Sequence, residues 1–151
     1  MNETNRQEPP TFGEFNGFEV YPMPFFVTLA ADDPAALARW YEQTLGFGTM
    51  FMGPVIHLRR RRYQDILVVA ARAGSPATSG GPSLTFDATD AELDALAARA
   101  GATPQATPWN TREIRLSDPA GHRLVFSARS ENPDPEVHAK WQAMFDAQRK
   151  K

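Results

Sequence analysis

The chain has no cysteine, and that one absence excludes disulfides, thiolate metal ligands and cysteine nucleophiles. It also carries little net charge. A formal balance of −2 and a pI near 5.9 leave no surplus of Lys and Arg to neutralise a phosphate backbone, so no nucleic-acid partner is expected. Long apolar runs are missing too: stretches such as Ile66 to Ala71 fall far below the roughly 18 to 20 residues that span a bilayer. The start, Met1-Asn2-Glu3-Thr4-Asn5-Arg6, lacks the charged and apolar regions of a signal peptide. A cytoplasmic protein without a membrane partner is expected. No phosphate loop is legible, because Thr78-Ser79-Gly80-Gly81 has neither the Lys nor the strand-to-helix setting, and no serine sits in a nucleophile elbow. What is present is 42% hydrophobic and 11% aromatic residues in 151, enough for one sizeable core.

Residues 1–22 read as an N-terminal arm, with few large aliphatics and with scattered aromatics (Phe12, Phe15, Phe18, Tyr21) that need a docking place. From Pro24 a strand-like run leads to Asp32-Asp33-Pro34, a helix start in which a carboxylate accepts orphan amide protons and proline has none to satisfy. Leu37, Trp40, Tyr41 and Leu45 recur at helical spacing, and Gly46 supplies the left-handed stop. Trp40 is assigned to the core. Three strands follow, at 47–52, 55–62 and 65–71, with a tight turn near Arg62 to Gln64. After a Gly/Ser/Pro-rich connector at 73–82 the order repeats. Ser83 to Ala88 is a strand, Thr89 to Glu92 has capping-box spacing, Leu93, Leu96 and Ala97 point inward, and three more strands end at Ala128. The expected fold class is α+β, two βαβββ modules (about 23–74 and 82–130) with curved mixed sheets and a ligand cleft, forming one domain over 23–130. Residues 131–151 add a C-terminal helix whose Val137, Trp141, Met144 and Phe145 form an apolar stripe. That stripe needs cover, from its own sheet in the simpler reading or from a partner subunit.

The order and spacing of several pieces carry a family resemblance. Trp40-Tyr41 followed by Leu45-Gly46-Phe47, and Pro108-Trp109 through Arg112-Glu113 to Asp118-Pro119-Ala120-Gly121, together resemble the vicinal oxygen chelate superfamily of glyoxalases, extradiol dioxygenases and bleomycin-resistance proteins. The second half looks closest to the bleomycin-resistance branch. The resemblance implies a strand-exchanged homodimer, with Pro22 or Pro24 allowing the N-terminal segment to cross over. In the superfamily's enzymes, His and Glu ligands hold a divalent metal that polarises substrate oxygens. By the resemblance those positions fall here at Phe26, Ser83 and Val125, with Asp65 the sole candidate for the fourth. Phe and Val have no lone pair, so no metal and no other cofactor is expected. Of the three histidines, His122 is expected to face solvent, His138 to lie on the polar side of the last helix, and His57 to stand alone in a strand.

A cleft without metal ligands suits capture of an aromatic antibiotic, the role that the resemblance implies. The expected ligand-binding residues are Phe26, Phe51, His57, Phe86, Trp109 and Phe126, with Tyr63 near a hairpin tip and Arg59 from the run Arg59 to Arg62. Trp109 stands out because core packing poorly explains a Pro-Trp in a polar stretch. Alternate side chains of a strand point opposite ways, so at most two of the four arginines share a cleft. A solvated hairpin is the simpler reading of the run, and an anionic or carbonyl-bearing ligand group the other. The near-neutral charge favours less cationic guests than bleomycin, such as enediyne, mitomycin or quinone types. Two alternatives remain open: a lyase, isomerase or dioxygenase with displaced metal ligands or none, and an interaction module using the Trp141 helix.

Overall fold

The computed structural model describes residues 11–21, 23, 25–72 and 82–149. Among them the chain is α+β, with three helices, two four-stranded mixed sheets and a two-stranded ribbon. Most of the expected connector, and both prolines assigned to strand exchange, lie outside the described residues. Two compact units form: Met1–Gly80 with Asp118–His122, and Gly81–Ser117 with Arg123–Lys151.

In the first unit, a ribbon of β1 (Glu14–Phe15) and β2 (Phe18–Glu19) precedes β3 (Val27–Ala31), α1 (Pro34–Leu45), β4 (Gly48–Phe51), β5 (Val55–Arg59) and β6 (Asp65–Ala70). The sheet order is β3-β6-β5-β4, with β3 parallel to β6 and the other pairs antiparallel. Asp33 caps α1 by accepting the Ala36 N–H at 2.9 Å, and Gly46, at φ +75°, ends it. Leu29, Ile56, Leu58, Ile66 and Val68 are buried together with Leu37, Tyr41 and Leu45 of α1. That parity puts His57, Arg59 and Asp65 on the opposite face of the sheet.

The second unit repeats the plan. It runs β7 (Ser83–Ala88), α2 (Asp90–Ala100), β8 (Gln105–Ala106), β9 (Thr111–Ser117), β10 (Arg123–Arg129) and α3 (Pro135–Arg149), with sheet order β7-β10-β9-β8 and β7 parallel to β10. Thr89 and Glu92 form the expected capping box at 3.2 and 2.8 Å. The core of this unit is Phe86, Ile114, Leu124 and Phe126 beneath Leu93 and Leu96.

Two expectations are corrected. The arm forms the β1–β2 ribbon, and Phe18 packs so closely on Gly48 that any Cβ there would collide with its ring. Helix α3 begins at Pro135, held by an exchange of hydrogen bonds between Asn110 and Asp134 at 3.0 and 2.8 Å. Its stripe does not find cover in the way the simpler reading expects, because Trp141 and Met144 are each 42% exposed. Among the described residues no helix is long and apolar enough to cross a membrane.

Candidate functional site

On the face of the first sheet away from α1, β5 and β6 pair so that Arg59 stands opposite Asp65, and His57 follows two residues along. The Asp65 carboxylate gathers three donors: Arg59 Nε at 2.6 Å and His57 Nε2 at 2.7 Å on Oδ1, and the Tyr21 hydroxyl at 2.9 Å on Oδ2. Tyr21 comes from the arm. Its oxygen also accepts the Tyr63 N–H at 2.6 Å, and the Arg59 guanidinium lies 3.6 Å from its ring centroid. Arg59 Nη1 donates to the Glu19 carbonyl at 2.5 Å, while Arg62 makes a two-pronged pair with the Glu19 carboxylate at 2.7 and 2.8 Å.

Electrostatics follow from this packing. Burial opposes ionisation of Asp65, but the bonds from His57, Arg59 and Tyr21 outweigh it and hold the carboxyl below the ordinary carboxylate range. Burial pushes the Tyr21 hydroxyl up to about 12, so it stays a neutral donor. Beside the network lies a cleft of about 510 Å³ lined by Phe15, Val20, Tyr21, Met23, Met50, His57 and Arg59.

The second unit has its own open face, opposite the one that α2 covers. Glu113 is 7% exposed there and accepts from Trp109 Nε1 at 3.2 Å, Thr111 Oγ1 at 3.2 Å, Ser127 Oγ at 3.3 Å and Arg115 Nη2 at 3.2 Å. Trp109 keeps 45% of its surface exposed although its indole N–H is held by Glu113. It sits in a turn closed by Thr107 and by the left-handed Asn110 at φ +64°. A neighbouring hollow of about 490 Å³ is lined by Ser83, Arg115, Leu116, Ser117, Arg123, Leu124 and Val125.

The expected ligand-binding residues divide accordingly. His57 and Arg59 line the first cleft, Tyr63 is not among its lining residues but packs edge-on against Tyr21, and Phe51 and Phe26 are exposed at strand ends. Phe86 and Phe126 do not line a cleft: they stack on each other at 5.2 Å between their centroids, buried on the α2 side. Strand parity is the reason, since it turns Val125 and Ser127 to the open face and Phe126 away from it. The solvated-hairpin reading of the arginine run is corrected as well. Arg59 is 2% exposed, and Arg59 and Arg62 anchor the arm. His122 is buried rather than solvent-facing: its Nδ1 pairs with Asp118 at 2.7 Å, beside the Tyr41 hydroxyl at 2.8 Å, which burial pushes far above its usual range. Trp40 is half-buried.

Sequence reasoning missed Glu19, Tyr21 and Glu113 as partners, and saw Asp65 only as a metal ligand. A signal existed for one pair, because a tight turn at 60–64 sets Arg59 against Asp65. The residues at the superfamily's metal positions do not fit a divalent ion. Phe26 and Val125 lack lone pairs, Ser83 offers one exposed hydroxyl, and Asp65 is committed to three protein donors. Among the described residues no three of His, Asp and Glu converge.

The class of protein is set by comparison with known families. Residues 25–126 match the model of the Glyoxalase/Bleomycin resistance protein/Dioxygenase superfamily, and the chain belongs to that superfamily. Solved structures share the fold. A lactoylglutathione lyase of Agrobacterium tumefaciens matches at TM-score 0.55 and 20% identity, over 71% of this chain and 94% of its own. The fosfomycin resistance protein FosX of Mesorhizobium loti matches at 0.55 and 15%, over 71% and 92%. TioX of Micromonospora sp. ML1 matches at 0.54 and 22%, over 69% and 96%. No relative is found among curated protein sequences.

Proposed function

We propose that this chain binds an aromatic antibiotic and holds it without changing it, conferring resistance, and that it works as a cytoplasmic homodimer. The observation that carries the reading is Trp109. Its indole N–H is committed to the buried Glu113 while nearly half its surface stays exposed. A ring fixed in this way loses little freedom when a flat guest stacks on it, which is what tight stoichiometric capture requires. Nanomolar capture needs about −12 kcal/mol, and burial of flat aromatic surface is the cheapest source of it in a cleft without ligating groups. That one solved structure of this fold is described as a fosfomycin resistance protein is in keeping with a protective role.

The test is a titration of enediyne, mitomycin and quinone antibiotics against tryptophan fluorescence, followed by mass analysis of the recovered compound. Expected are saturation at one ligand per chain, unchanged ligand, and at least about a tenfold loss of affinity in Trp109→Ala. A chemically altered compound, or a stoichiometric metal needed for binding, would establish the enzyme reading instead. A chain that binds none of the compounds is neither.

A further inference from the structure

The acceptor on the wall of the first cleft is a nitrogen, and the network behind it decides which one. Asp65 Oδ1 receives His57 Nε2 at 2.7 Å and Arg59 Nε at 2.6 Å, and Oδ2 receives the Tyr21 hydroxyl at 2.9 Å. A carboxylate with three donors has no proton to give. His57 Nε2 therefore carries the hydrogen of that contact, so in the neutral ring the lone pair falls on Nδ1. That atom has no hydrogen-bond partner among the described residues, although His57 lines the cleft.

The remaining walls sharpen the choice of guest. Phe15, Val20, Met23 and Met50 are apolar. The Tyr21 oxygen is committed twice, to Asp65 and to the Tyr63 N–H, and Arg59 is a pure donor. His57 Nδ1 is thus the uncommitted side-chain nitrogen or oxygen acceptor among the lining residues. We infer that this cleft selects an aromatic guest bearing a free hydroxyl, of the phenol or hydroxyquinone class, whose O–H donates to His57 Nδ1. A guest with that oxygen capped would leave the acceptor desolvated and unpaired, which costs more than the bond itself contributes. An ammonium is disfavoured, because the buried Arg59 guanidinium already balances Asp65 and no net negative charge remains to draw a cation. The inference concerns the first unit's cleft and not the Trp109 face, and it rests on the capture reading above for the aromatic class of the guest.

The probes are 2-hydroxyanthraquinone and 2-methoxyanthraquinone, titrated against the full chain by tryptophan fluorescence and by the probe's visible absorption. The hydroxy compound is expected to bind about tenfold more tightly, with its absorption band moved to longer wavelength as its O–H meets a base. His57→Phe should abolish the preference, bringing the affinities of the two compounds together. Because His57→Phe deprives Asp65 of a donor, the band shift in the wild-type protein serves as a readout that needs no variant. Equal affinities, an unshifted band, or a preference that survives in His57→Phe each overturn the inference alone. Binding of neither compound overturns this inference, while the capture reading falls only if the enediyne, mitomycin and quinone antibiotics also fail to bind.

Discussion

Asp65 shows how far a single residue's role depends on its neighbours. Read in sequence it is an acidic residue at a strand start; in the fold it is the acceptor for an arginine, a histidine and a tyrosine drawn from the sheet and the arm. Asp65→Asn keeps the shape and removes the charge, leaving a guanidinium that is 2% exposed without its counter-ion. Urea unfolding should register a loss of about 3 to 5 kcal/mol, the usual result of breaking a buried pair on one side. The same carboxyl has a pH signature. Its folded-state value is held below the unfolded one, so its contribution is complete above about pH 4 and disappears as pH falls through the folded value. The wild-type urea midpoint should therefore drop on acidification below about pH 4, and the Asp65→Asn midpoint should be flatter there. Trp109 was legible as a residue outside the core because its polar surroundings gave it no core to join, and it is 45% exposed. Its partner Glu113 was not, because a carboxylate four residues away in a turn-to-strand segment has no periodicity that announces the contact.

Among the elements, the two ends of the chain exchange the roles expected of them. The arm was legible only as a tract short of aliphatics, yet it puts Tyr21, 5% exposed, under Arg59 and Phe18 against Gly48. Helix α3 carries the clearer apolar pattern and leaves Trp141 and Met144 exposed. Truncations should separate the two. Removing residues 1–21 takes away a buried ring and the two hydrogen bonds that the arm makes with Arg59 and Asp65, and thermal or urea unfolding should show a loss of about 2 to 4 kcal/mol. Removing residues 134–151 should cost under about 1 kcal/mol, as changes at exposed positions do. Equal losses from both truncations would contradict this assignment. Helices α1 and α2 were legible nearly to the residue, since Asp33-Pro34, the Thr89 and Glu92 box, and the glycines at 46 and 101 are local devices that act wherever they occur.

At the scale of the whole molecule, capture should show as stabilisation. A guest at a hundredfold excess over its Kd adds about 2.7 kcal/mol, which for a chain of this size is a rise of roughly 5 to 10 °C in Tm. Differential scanning with each antibiotic provides the measurement, and a Tm unmoved by a compound that quenches tryptophan fluorescence would mark that quenching as unspecific. The duplicated plan behind such a cleft was readable before any coordinates: both units have the strand order in which the first strand pairs parallel with the fourth, as a strand-helix-three-strand repeat implies. Residue type and short-range spacing were enough for the α+β class, the repeat, the helix caps, the resemblance to the superfamily and the want of lone pairs at Phe26 and Val125. Which of two adjacent strand residues faces the helix was fixed by packing between distant segments, and this sent Phe86 and Phe126 into the core. The same packing ties Asp65 to Tyr21, forty-four positions away. Parity at a given strand depends on register with its neighbours, and a long-range hydrogen bond leaves no periodic trace in either of the segments it joins.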